Sequence, residues 1–112
     1  MGSSHRRRLI RKNRYVIDKL GGKQAVEFNS GLSISIEHET TLIKIGSSNL
    51  QLIYGGYEGQ IVSIYSKADG LTVSKNTGDN GIVLASPSDS FITLNKNKVI
   101  QLQKINTNWY QI

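Results

Sequence analysis

Apolar and polar residues alternate along this chain in short bursts, and each burst is broken by residues that favour turns. In Leu32-Ser33-Ile34-Ser35-Ile36 three apolar side chains share one face, the period-two signature of a half-buried strand. The pattern continues through 59–66, 71–74, 81–85, 90–94, 98–103 and 108–112, each of which reads as one strand. Between them lie 67–70, 75–80, 86–89, 95–97 and 104–107, rich in Asp, Asn, Gly, Ser and Pro. No apolar spacing of three and four persists there, and β-branched residues dominate, so no helix fits. The expected fold class is all-β, with about nine to eleven short strands.

Two stretches depart from clean alternation. Leu50-Gln51-Leu52-Ile53-Tyr54 and Ile61-Val62-Ser63-Ile64-Tyr65 put apolar groups on both faces. A strand that is apolar on both sides asks to be covered on both. A chain of 112 residues with 38% hydrophobic content and 7% aromatics builds only a modest core of its own. The second cover is therefore expected from further copies of the chain, in an intertwined or prism-like homotrimer. The strand pieces lack a repeated length, so no strict solenoid register is read from them.

The formal charge of +6 changes meaning once it is divided. Residues 1–23 hold eight Lys and Arg against Asp18 alone, a balance of +7, while residues 24–112 hold six Lys against seven acids, a balance of −1. All five arginines fall between Arg6 and Arg14. The sequence thus divides into a basic leader, 1–23, and a neutral all-β domain, 24–112. Residues 1–5 read like the start of an expression tag. Within 6–23, Val16 and Ile17 after Tyr15 favour an extended reading over a helix. A neutral domain offers no basic face to phosphates, so nucleic acid is not the expected partner. No cysteine exists, which excludes disulfides and thiolate metal sites. No apolar stretch approaches the roughly eighteen residues of a membrane span, so no membrane insertion is expected.

Candidate chemistry is sparse. Glu37-His38-Glu39 is the one histidine–carboxylate cluster, but on a strand the carboxylates face away from the histidine, and the run reads as a polar turn. Gly55-Gly56-Tyr57-Glu58-Gly59 and Gly78-Asp79-Asn80-Gly81 match neither calcium-loop spacing nor a phosphate-cradling loop that opens a helix; they read as turns with positive φ. No nucleophile elbow or metalloprotease motif can be assembled, so the chain is read as non-enzymatic, without cofactor or metal. Tyr54 and Tyr57 flank the Gly-Gly turn, and with Tyr110 they are the candidates for stacking on sugar rings. Trp109, Ile100 and Leu102 are assigned to the core, in a final paired strand and the strand before it.

Taken in order, Gly59-Gln60-Ile61-Val62-Ser63-Ile64, Gly70-Leu71-Thr72-Val73, Gly81-Ile82-Val83-Leu84, Phe91-Ile92-Thr93-Leu94, Val99-Ile100-Gln101-Leu102 and the closing Trp109-Tyr110 form a recognisable rhythm. It resembles the C-terminal domains of bacteriophage tail-fibre, tail-spike and neck-appendage proteins, over about residues 46–112. The resemblance implies a β-prism or β-helix-like homotrimer at the tip of a virion appendage, acting in trimerisation and in attachment to host-surface polysaccharide. The Ser-Asp and Leu-Lys pattern of self-cleaving chaperone tails is not recognisable and long, obvious β-helix rungs are missing, which speaks against self-cleavage and against a depolymerase role. The alternative reading is a monomeric carbohydrate-binding or adhesin module of cellular origin.

Overall fold

The computed structural model describes residues 24–112; the leader assigned to 1–23, including the extended reading of 6–23, lies outside the described residues. Among the described residues the fold is all-β, with eleven strands: β1 (Ala25–Phe28), β2 (Ser33–Ile36), β3 (Leu42–Ile45), β4 (Asn49–Leu50), β5 (Leu52–Gly55), β6 (Ile61–Ser66), β7 (Leu71–Ser74), β8 (Ile82–Val83), β9 (Phe91–Leu94), β10 (Val99–Ile105) and β11 (Asn108–Gln111). They form a six-stranded sheet in the order β1-β3-β6-β10-β11-β8, a two-stranded sheet β2-β5 and a three-stranded sheet β4-β7-β9.

The first two thirds of the domain winds. Each pass through a sheet lies parallel to the pass one circuit earlier: β1 on β3, β3 on β6, β2 on β5 and β4 on β7. The circuits are unequal. Ala25 pairs with Leu42 and Leu42 with Ser63, steps of 17 and 21 residues; Ser33 pairs with Leu52 and Asn49 with Thr72, steps of 19 and 23. That irregularity is why the sequence shows no repeat. The winding then stops, because β9 and β10 run antiparallel to β7 and β6, and β11 folds back on β10.

Inward-facing residues of all three sheets make one core. Ile34, Ile43, Ile45, Leu50, Ile53, Val62, Ile64, Leu71, Val73, Ile82, Leu94, Leu102 and Trp109 are buried, with Val26, Phe28, Ile92 and Ile100 packed against them. Burying such a chain of aliphatic side chains gives each roughly 1.5–3 kcal/mol relative to exposure, which is the main driving force here.

Leu50–Tyr54 does not form one strand covered on both faces. The chain turns a corner at Gln51, leaving β4 in the three-stranded sheet and β5 in the two-stranded sheet. The corner resets the side-chain parity, so Leu50 and Ile53 both point inward although three residues apart. In β6, by contrast, alternation is intact: Val62 and Ile64 are buried while Ile61 faces outward. Strand ends also shift. β8 keeps only Ile82–Val83 of the expected 81–85, and β10 runs on through Ile105, leaving Asn106 and Thr107 as a two-residue turn with Asn106 at φ 59°.

Candidate functional site

The connections β2–β3 and β5–β6 stack at one corner of the domain, and a buried glutamine joins them. Gln60 donates through Nε2 to the carbonyls of Glu37 at 3.1 Å and Thr40 at 2.8 Å, and its Oε1 accepts the Tyr57 amide at 3.0 Å. A buried amide that satisfies three backbone groups at once fixes both turns in register. The offset matters: His38 and Tyr57 lie 19 residues apart, the same step that pairs Ser33 with Leu52. Their rings therefore meet edge to face, with centroids 5.5 Å apart and planes at 72°.

The hairpin β10–β11 holds this corner from below. Lys104 Nζ donates to the Gly55 carbonyl at 2.8 Å, Gly59 N donates to Lys104 O at 2.7 Å, and the Asn106 amide donates to Glu58 Oε1 at 2.8 Å. Beneath lies Trp109, fully buried, whose Nε1 donates to Ile53 O at 3.0 Å; the Lys104 ammonium sits 5.9 Å from its ring centroid. Gly56 must be glycine for two reasons. Its φ is +82°, and a Cβ there would come within 2.9 Å of the indole.

Tyr54, near the end of β5, and Tyr57, on the pinned loop that follows, are 43% and 49% exposed. Tyr54 faces out from β5 opposite Ser35, and Tyr57 stands on the adjoining corner beside His38. Tyr110 is not part of that corner. It faces outward from the six-stranded sheet, between Gln103 and Val83. Of the residues assigned to the core, Trp109 and Leu102 are fully buried and Ile100 packs against the cluster. Sequence reasoning missed His38 as the ring partner of Tyr57, and Gln60 as the residue that orders the corner. Their signal is the 19-residue offset, which becomes legible only once the pairing is known.

Chemically the corner can stack and hydrogen-bond. Glu58 is already engaged by the hairpin amide, and among the described residues no group of three His, Cys, Asp or Glu side chains could hold a metal ion. Also among the described residues, no helix is long and apolar enough to cross a membrane. Comparison with protein-family models, with curated proteins and with solved structures finds no match to this chain.

Proposed function

We propose that this chain is a non-enzymatic structural domain of a virion appendage, a bacteriophage tail fibre or tail spike, that assembles as a homotrimer and contacts host-surface glycan. The observation that carries the reading is the number of large apolar side chains left on the surface. Leu32, Tyr54, Tyr57, Ile61, Phe91, Val99, Ile105, Tyr110 and Ile112 are all exposed among the described residues. Scattered singly these would be ordinary, but several cluster on the last strands of one sheet, and such patches mark association surfaces. The winding of parallel passes, closed by antiparallel strands, supports the β-helix-like part of the reading. The appendage itself is inferred from the sequence rhythm that ends in Trp109-Tyr110.

The rigid Tyr54–Tyr57 corner favours a second reading, a monomeric carbohydrate-binding or adhesin module. Rings fixed before binding lose little entropy when they stack on a sugar. Sedimentation at micromolar concentration separates the two, giving a trimer for the first and a monomer for the second. A bacterial glycan array with wild type and Tyr57→Ala then tests the contact. The expected result is binding that the variant loses; no binding by wild type across broad bacterial glycans would leave a purely structural role.

A further inference from the structure

We propose that the basic leader, residues 6–23, forms one more circuit of the winding on the open side of β1 and β2, in monomer or trimer alike. The late circuits are closed by the antiparallel β9, β10 and β11, but among the described residues no strand pairs with the outer edge of β1 or of β2. Burial falls off towards that side. Val26 and Phe28 are half-buried, whereas Ile43 and Ile45, their partners one circuit later, are fully buried.

The hydrogen bonds show which backbone groups the edge leaves over. Leu52 N donates to Leu32 O, and Gly46 N donates to Phe28 O. Bonding direction alternates along a strand, so Ile34 and Ile36 turn their amides to β5, and Val26 and Phe28 turn theirs to β3. The amides of Ala25, Glu27, Ser33 and Ser35 then point to the open side. That is a row of donors suited to a further parallel strand.

Position, length and charge select the leader as its occupant. Gln24 O already accepts Thr41 N at 2.8 Å, so the paired backbone begins one residue after Lys23. Residues 6–23 number 18, within the steps of 17 to 23 that separate one pass from the next. Residues 24–43 hold Glu27, Glu37 and Glu39 with no Lys or Arg, a balance of −3 against +7 on the leader. Glu27 also meets Lys67 at 3.1 Å. Two copies apposed at this end would instead bring two acidic circuits together.

The register follows from the winding. The 19-residue step that sets Ser33 on Leu52 sets Arg14 on Ser33, Tyr15 on Ile34, Val16 on Ser35 and Ile17 on Ile36. Tyr15 and Ile17 extend the inward rows, while Arg14 and Val16 face out. Residues 18–24, with Gly21-Gly22 among them, turn the corner into β1; the corresponding corners 37–41 and 56–60 take five residues each.

Amide hydrogen exchange of the full chain, resolved residue by residue by NMR, tests this. The Ser33 and Ser35 amides should exchange at least about tenfold more slowly in wild type than in Ile17→Asp, which sets a carboxylate in the inward row. Val16→Asp, at the outward position, should leave them slow. Ile53 and Ile64 amides that stay slow in both variants report an intact domain. In wild type, nuclear Overhauser contacts should join the Tyr15 ring to Ile34, and this decides the matter even where a variant fails to fold. Absence of those contacts, or Ser33 and Ser35 exchanging as in an unstructured chain, overturns the proposal. Slow exchange that survives Ile17→Asp overturns it too, because a second copy or another strand then covers the edge.

Discussion

Trp109 shows how one side chain connects sequence to fold. It is fully buried, gives its indole hydrogen to Ile53 O, and rests against Gly56 on a loop more than fifty residues earlier. Trp109→Ala should cost about 3–5 kcal/mol by leaving a large cavity. Trp109→Phe should cost less, about 1–3 kcal/mol, chiefly from the stranded carbonyl. Gly56→Ala should cost about 1–3 kcal/mol, because it forces a left-handed backbone and a clash with the ring. Urea unfolding followed by far-ultraviolet circular dichroism ranks all three; an Ala variant at Trp109 as stable as wild type would remove the indole from the core. The burial of this residue was legible, because a polar–apolar alternation around Trp109 and Ile100–Leu102 assigns an inner face. Its contact with Gly56 was not, since nothing local links the two positions.

At the level of elements, strands were easier to read than corners. β7 has the same bounds in sequence and structure because Asp69-Gly70 and Lys75-Asn76 bracket an intact alternation. The run from Leu50 to Tyr54 misled because a corner without glycine or proline hides at Gln51 and shifts the parity of the inward side chains. The stacked turns depend on Gln60, a polar residue that propensity gives no reason to bury. Gln60→Leu keeps the volume, takes the acceptor from the Tyr57 amide and one donor from each of the Glu37 and Thr40 carbonyls, the first of which still accepts the Thr40 amide; the expected cost is about 1–3 kcal/mol. Amide exchange should rise at Tyr57 and Thr40 while Trp109 fluorescence stays blue. Unchanged exchange at both turns would mean that the strands alone hold the corner. Deleting 108–112 removes the cover of Leu102 and Ile82 and bares the edge of β10. The expected outcome is aggregation on expression, and a soluble, cooperatively folding truncation would contradict it.

On the scale of the whole molecule, the all-β class followed from pattern alone, whereas the winding did not. Parallel neighbours one circuit apart can be found from sequence only when the circuit has constant length, and here it varies from 17 to 23 residues. The candidate site was half legible for the same reason: Tyr54 and Tyr57 stand out beside two glycines, but His38 reaches Tyr57 through the winding. The apolar outward positions of β6 were visible in the sequence, and the sheet order shows that β10 and β11 extend them into one apolar-rich face, bordered by Lys44, which pairs with Tyr65. That face is the basis for reading the domain as one part of an assembly. Sedimentation equilibrium on the full chain across a micromolar concentration series tests it most directly. The account predicts a single species of three times the chain mass that persists on dilution, and a species of one chain mass at every concentration would contradict it.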